Sequence, residues 1–245
     1  MKQVLVLGGG LIGARHAQSV QQHAKSALVG VVEPNSDLHI APDIAYFCDL
    51  GEVSAAVDGA IIATPTPMHS AHGIEAARRG WDILIEKPVT LTMQQAKALS
   101  KAVTQSGVAS LVGHHRRYHH SVQYLKKMVE GGEIGAPITA TMIWAMRKPD
   151  DYFKQNWRTK SGSPVMINLV HDIDLLRFVL GEIYWWVVGA DGTQPKKLGH
   201  GRGLGRENRL DRLPGRRPGD AILYVDVSED FRSLRSLAGR ACGSA

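Results

Sequence analysis

Four short stretches of this 245-residue chain carry residues whose types and spacing suit chemistry. They are Gly8-Gly9-Gly10-Leu11-Ile12-Gly13, Glu33, Glu86-Lys87-Pro88, and His171 within Asn168-Leu169-Val170-His171-Asp172-Ile173-Asp174. The first has the spacing G-x-G-x-x-G: Gly8 permits a tight turn, Gly10 lets the backbone approach a pyrophosphate, and Gly13 lets a helix pack closely on a strand. Leu11 and Ile12 then fall in a first helical turn, whose unpaired N–H groups and partial positive charge attract phosphates. Glu33 stands twenty residues after Gly13, where an acid accepts hydrogen bonds from the ribose hydroxyls of an adenosine and repels a 2′-phosphate. Pro34 and Asn35 follow with no arginine beside them, so the expected cofactor is NAD, with NADP disfavoured.

Lys87 follows an apolar run that reads as a strand, which puts it at the carboxyl edge of a sheet, where open α/β sheets bind ligands. Oxidation of an alcohol needs its hydroxyl proton removed as the hydride leaves, and a lysine near a cationic cofactor has its pKa lowered toward that task. The tripeptide alone reads equally as an exposed lysine before a turn proline, and His171 alone as a satisfied core histidine. Arg116, with Arg117, Tyr118 and their flanking histidines, suits a carboxylated or hydroxylated substrate because arginine binds carboxylate bidentately. A solvated turn is the competing reading. His114, His115, His119 and His120 lack acids or cysteines in a ligand pattern, so no metal is expected. Cys48 and Cys242 are far apart and outside any C-x-x-C, which argues against a disulfide framework and for a reducing, cytoplasmic setting.

These residues need a scaffold, and the hydrophobic periodicity supplies one. Apolar runs at residues 2–7, 27–33, 43–47, 59–63, 81–85 and 108–112 read as strands. Residues 11–23, 68–79 and 92–106 read as helices, the last stopped by Gly107. Continuous apolar strands are buried on both faces, so the alternation predicts an α/β fold: a doubly wound parallel sheet of Rossmann type. The apolar start from Val4 to Ile12 imitates a signal-peptide core, but its glycines make it strand and turn. No run has the length of a membrane span. After Gly113 the texture changes. A helix is expected up to Gly131, a strand over 138–146, a loop over 153–164 and a helix over 165–180 stopped by Gly181.

With these motifs in this order, the chain resembles the glucose–fructose oxidoreductase and inositol dehydrogenase family, Gfo/Idh/MocA. The resemblance rests on the glycine loop, Ala63-Thr64-Pro65-Thr66-Pro67-Met68-His69, Glu86-Lys87-Pro88, Gly113-His114-His115-Arg116-Arg117-Tyr118, Trp157-Arg158 and the segment around His171. It implies an oxidoreductase transferring a hydride between a nicotinamide cofactor and a sugar, polyol or related hydroxylated substrate. Thr64, Pro65 and His69 would then line the cofactor, Glu86 would lie near the nicotinamide ribose, and Lys87 would be catalytic. His171 matches the family histidine and would bind the substrate hydroxyl or share proton transfer with Lys87. Trp157 and Arg158 would close over the sugar ring, with a Trp packed into the domain core as the competing reading, and Asn168 would bind a hydroxyl. Many relatives carry an Asp four residues before the histidine; here that place is Ile167.

The expected domains are a Rossmann domain over 1–118, an incomplete α+β substrate or oligomerisation domain over 119–193, and a Gly/Arg-rich tail over 194–245. The formal net charge of +6, from 29 Lys and Arg against 23 Asp and Glu, owes much to that tail. It reads as a shift out of frame or a divergent, poorly ordered end. It shows no aromatic interleaving, so no nucleic-acid partner is expected, and no membrane partner either. The partners expected are a small sugar or polyol and, through the second domain, a further copy of the chain. The competing function is a non-catalytic NAD-binding remnant or sensor.

Overall fold

The computed structural model describes residues 1–38, 43–135, 137, 140, 169–181, 183–190 and 221–227. The chain divides into two compact units, the first built on Met1–His114 and the second beginning at His115.

Six strands of the first unit form one sheet: β1 (Lys2–Leu7), β2 (Ser26–Val32), β3 (Tyr46–Phe47), β4 (Gly59–Ile62), β5 (Asp82–Ile85) and β6 (Ser110–Val112). Their order is β3-β2-β1-β4-β5-β6, and every neighbouring pair is parallel. Between them run α1 (Leu11–Gln22), α2 (Thr66–Arg78) and α3 (Met93–Ser106). Side chains alternate across a strand, so Leu5 and Leu7 enter one core with Ile62, Ile85 and Leu99, while Val6 enters the other with Ala17, Val31 and Ile61. Both faces of the sheet are therefore covered at its centre, the reason the carboxyl halves of β1, β2, β4 and β5 are apolar.

Local chemistry accounts for the element ends. Thr92 accepts from the Gln95 amide while the Gln95 side chain accepts from the Thr92 amide, a reciprocal cap that starts α3. Gly107 ends the helix in the left-handed region at φ 68°. The third strand is shorter than the expected 43–47 run, because β3 pairs only with the last two residues of β2. Helix α2 starts two residues earlier than the expected 68, since Pro67 sits readily in a first turn.

The second unit contains a 3-10 turn over His115–Tyr118, α4 (His120–Glu130), α5 (Val170–Leu180), β7 (Ile183–Ala190) and β8 (Ala221–Val227). Strands β7 and β8 pair in parallel, so part of the tail beyond 194 is a strand of a two-stranded sheet. The turn and α4 are tied to α5 by Arg116 with Asp172, Arg117 with Asp174, and Lys126 Nζ donating to Phe178 O at 2.9 Å. The strand expected over 138–146 and the loop over 153–164 fall outside the described residues, apart from Ala140. Among the described residues no helix is long and apolar enough to cross a membrane.

Candidate functional site

The strand order reverses between β1 and β4, and a crevice forms outside the carboxyl ends of strands at such a point. Gly8–Gly10 leave β1 there, Ala63–Pro65 leave β4, and Glu86–Pro88 leave β5. The loops touch: a Cβ on Gly8 would lie 2.8 Å from Ala63 O, and Gly8 has φ +99°, a conformation that glycine takes without strain. A Cβ on Gly13 would sit 1.8 Å from Gly8 O, so only glycine lets α1 approach the turn this closely. Gly10 is different, because a Cβ there meets nothing within 4 Å. It is the N-cap of α1, with no side-chain cap and no acid in the first turn. The helix thus presents uncapped N–H donors over open space, the geometry an anion requires. Leu11 and Ile12 stand exposed beside it.

Glu33 leaves the end of β2 and turns back to this loop. Its Oε2 accepts from Gly9 N at 2.8 Å and its Oε1 from Asn35 N at 2.9 Å. Each oxygen keeps a further lone pair, so the carboxylate is oriented by the backbone and still able to accept from ribose hydroxyls. A Cβ on Gly9 would lie 2.9 Å from Glu33 Cγ, so the middle glycine makes room for the acid. The G-x-G-x-x-G spacing leaves this middle position open, so its role follows only from the fold.

Two histidines on one face of α2 hold the loop after β4. His72 Nδ1 lies 3.1 Å from Thr64 Oγ1. His69, 1% exposed, reaches Thr64 O through Nε2 at 2.7 Å and Pro88 O through Nδ1 at 2.9 Å. Both ring nitrogens of His69, expected to line the cofactor, thus lie against carbonyl oxygens inside the protein. Its contribution is to join the loop carrying Thr64 and Pro65 to the loop carrying Lys87. Burial, and then the charge of His69, push the His72 imidazole below its ordinary value.

Glu86 and Lys87 occupy the next loop. Lys87 N donates to Glu86 Oε2 at 3.2 Å, and His16 Nε2 on α1 meets Glu86 Oε1 at 2.9 Å. Burial pushes the Glu86 carboxyl up, but the hydrogen bond and charge of His16, with the amide and charge of Lys87, more than offset it and leave the carboxyl below its ordinary range. A Cβ on Gly113 would sit 2.8 Å from Glu86 Oε1, so the end of β6 closes on this carboxylate too.

In the second unit His171 is buried, and its ring meets that of His115 edge-on with centroids 5.0 Å apart. Asp174, buried on the same helix, accepts from Arg117 Nε at 2.7 Å and from Nη2. That bond, against the opposing effect of burial, holds the guanidinium more firmly charged than usual. Arg116 Nη1 donates to Asp172 Oδ1 at 2.6 Å. The pair makes Arg116 a clamp between the 3-10 turn and α5, with 36% of its side chain still exposed. The contact with Asp172 is one that neither the substrate-grip nor the solvated-turn expectation included. Trp157, Arg158 and Asn168 lie outside the described residues.

Comparison with known proteins agrees with this geometry. Residues 2–114 match the family described as the oxidoreductase family with an NAD-binding Rossmann fold, and residues 122–203 match the Gfo/Idh/MocA C-terminal domain. The chain is 32% identical over 184 residues to an inositol 2-dehydrogenase of Rhizobium meliloti, a match covering 72% of this chain and 54% of that one. It is 32% identical over 186 residues to a scyllo-inositol 2-dehydrogenase (NAD(+)) of Bacillus subtilis, covering 72% and 53%. Among solved structures, the WlbA dehydrogenase of Bordetella pertussis in complex with NADH and UDP-GlcNAcA superposes with a TM-score of 0.68 at 26% identity, covering 74% of this chain and 56% of that one. The chain spans about half the length of the curated relatives it matches.

Proposed function

Because the chain belongs to the Gfo/Idh/MocA oxidoreductase family, with an NAD-binding Rossmann domain as its first unit, we propose that it oxidises or reduces a hydroxyl carbon of a sugar, polyol or related substrate. The observation that carries this reading is the open, uncapped start of α1 at Gly10, set at the reversal of strand order with the Glu33 carboxylate on the same loop. When bound, NAD supplies the hydride acceptor. The amides of residues 10–13 would hold the pyrophosphate by backbone contact and helix charge. Glu33 would accept from the adenosine ribose hydroxyls, and its negative charge would disfavour the 2′-phosphate of NADP. Thr64 and Pro65 form the floor, held from beneath by His69 and His72.

Lys87 Nζ is the group proposed to take the proton from the substrate hydroxyl oxygen in oxidation and to return it in reduction. Glu86 fixes the Lys87 amide and would lie near the nicotinamide ribose. In the second unit, His171 is the residue proposed to bind a substrate hydroxyl, its ring set by the edge contact with His115. Arg116 retains exposed surface for a substrate carboxylate or hydroxyl. Asn168, Trp157 and Arg158 join this set on the resemblance alone. Cys48 is an exposed free thiol, which suits a reducing cytoplasm. Copies of the chain would associate through the second unit.

Calorimetric titration with NADH and NADPH tests cofactor choice, with NADH expected to bind the more tightly. A panel of inositols, hexoses and sugar acids followed for NADH formation tests the reaction. Lys87→Ala is expected to lower turnover by about 10²–10⁴-fold while leaving NADH binding in place. Binding without turnover on any member of the panel would reject the dehydrogenase reading and leave dinucleotide binding as the function of this chain. Failure to bind either dinucleotide would reject the whole proposal.

A further inference from the structure

Helix α1 buries the stripe Gly13, Ala17 and Val20. His16 follows Gly13 by three residues and shares that side of the helix. It is a polar residue beside a buried stripe, and it is used: its Nε2 lies 2.9 Å from Glu86 Oε1, with side chains only 23% and 16% exposed. The contact joins residues 70 apart in sequence. It is feasible because β1 and β5 flank β4 in the sheet, which brings the helix after β1 close to the loop after β5.

The surroundings leave the Glu86 carboxylate little freedom. On one side the Gly113 backbone closes on Oε1, and on the other Oε2 accepts from Lys87 N. His16 is the side chain that fixes Oε1. At its own N-terminal end, α1 is pinned to the phosphate loop by the close approach of Gly13 to Gly8 O. A continuous run of contacts therefore leads from the glycine loop, through Gly13 and His16, to Glu86 and the backbone of Lys87.

We propose that His16 is a positioning residue for the reaction: it holds the Glu86 carboxylate in the orientation that anchors Lys87, and so ties the dinucleotide loop to the proton-transferring lysine. The inference rests on the dehydrogenase reading for its catalytic consequence, but the contact itself can be tested without turnover. Without His16, Glu86 is free to swing about its side-chain torsions, and the Lys87 loop loses the anchor that selects one placement for the ammonium group. Dinucleotide affinity should change far less than turnover, because the phosphate-binding amides and Glu33 are untouched and only the Glu86 carboxylate, beside the nicotinamide ribose in the proposed site, is freed.

The test compares the native chain with His16→Ala and His16→Gln. Glutamine keeps an N–H donor at comparable reach, so it should restore much of what alanine loses. With substrate and NAD saturating, His16→Ala is expected to lower kcat about 10- to 100-fold, the effect of losing one charge-assisted hydrogen bond, with the KM for NAD and the Kd for NADH within about threefold of native. The second readout is the pH titration of the Glu86 side-chain carboxyl carbon by NMR. It should move upward in His16→Ala, since burial remains and the offsetting partner is gone, and lie between the two in His16→Gln.

A purely structural role would lower the melting temperature of both variants without the split between kcat and KM and without rescue by glutamine. That result would overturn the proposal. So would a Glu86 titration unchanged by His16→Ala. If the native chain binds NADH but turns over nothing, the dehydrogenase reading fails, and the catalytic role of His16 fails with it. The Glu86 signal then reports separately whether the contact orients that carboxylate. If His16→Ala does not fold, His16→Gln and Glu86→Gln decide: native kcat in Glu86→Gln would overturn the proposal.

Discussion

Alanine at Gly13 and alanine at Gly10 remove the same kind of residue from the same loop, yet the structure predicts opposite defects. At Gly13 the new methyl would lie 1.8 Å from Gly8 O, and reaching the 3.0 Å that real Cβ atoms respect requires about 1.2 Å of movement between α1 and the turn. That movement is resisted. Gly8 N donates to Val32 O at 2.9 Å, and the face of Gly8 lies against the Ala63 backbone. Overpacking a rigid contact costs about 1–3 kcal/mol, and with backbone on both sides the upper end applies. For a chain of this size, about 3 kcal/mol corresponds to a fall in melting temperature of roughly 6–12 °C. At Gly10 the methyl meets nothing in the protein, so melting should stay within about 2 °C of native. The methyl would instead stand between the helix start and a pyrophosphate. Losing one such charge-assisted bond, worth about 1.5–3 kcal/mol, weakens NADH about 10- to 100-fold. Thermal melting by circular dichroism and NADH titration by fluorescence read the two effects separately. Native NADH affinity in Gly10→Ala would refute the assignment of this loop to the pyrophosphate, and native melting in Gly13→Ala would refute the packing argument.

Glu33→Ala should weaken NAD about tenfold or more while leaving NADP binding level or improved, read by parallel calorimetric titrations; equal losses would show that the carboxylate does not select between them. His69→Ala leaves the buried carbonyls of Thr64 and Pro88 without their partner, and urea unfolding should report a loss of about 2–4 kcal/mol; a change below about 0.5 kcal/mol would show that the two loops are held otherwise. His72 is depressed below its ordinary value of 6.5 by burial and then by the charge of His69. The unfolded chain therefore takes up a proton that the folded one resists, and stability falls as pH drops through the unfolded value. Melting between neutral pH and about pH 5 should decline less steeply in His72→Gln than in the native chain. Glu86 acts with the same sign at lower pH. Its folded carboxyl is depressed, so its contribution is complete above the ordinary carboxylate range and is lost as pH falls through the folded value.

Where function depends on nearest neighbours along the chain, the residues themselves declared it. Thr92 with Gln95 and Gly107 mark both ends of α3, because caps are made within one helical turn. The glycine loop is legible for the same reason: its turn, its helix start and the acid ending the next strand belong to one local βαβ unit. Strand β8 coincides with the apolar run at 221–227 that interrupts the Gly/Arg-rich tail. The domain boundary was less sharp, since the expected division at 118 rests on a change of texture and the contacts divide the chain after His114.

Partnerships between distant side chains were not legible, and they govern the candidate site. Nothing near His69 foretells that both its ring nitrogens face carbonyls on two separate loops, and nothing near Arg116 or Arg117 names Asp172 or Asp174, more than fifty residues away. His16 could have been noticed as a polar residue beside the buried side of α1, but its partner could not. The amino-acid order alone determined the Rossmann alternation, the phosphate loop and the acid that follows it, because hydrophobic periodicity and glycine conformation act over a few residues. Only the assembled sheet decided which carboxylate meets which histidine, because the order β1-β4-β5 sets the distance between α1 and Glu86, and that order is a property of strand pairing across the whole unit.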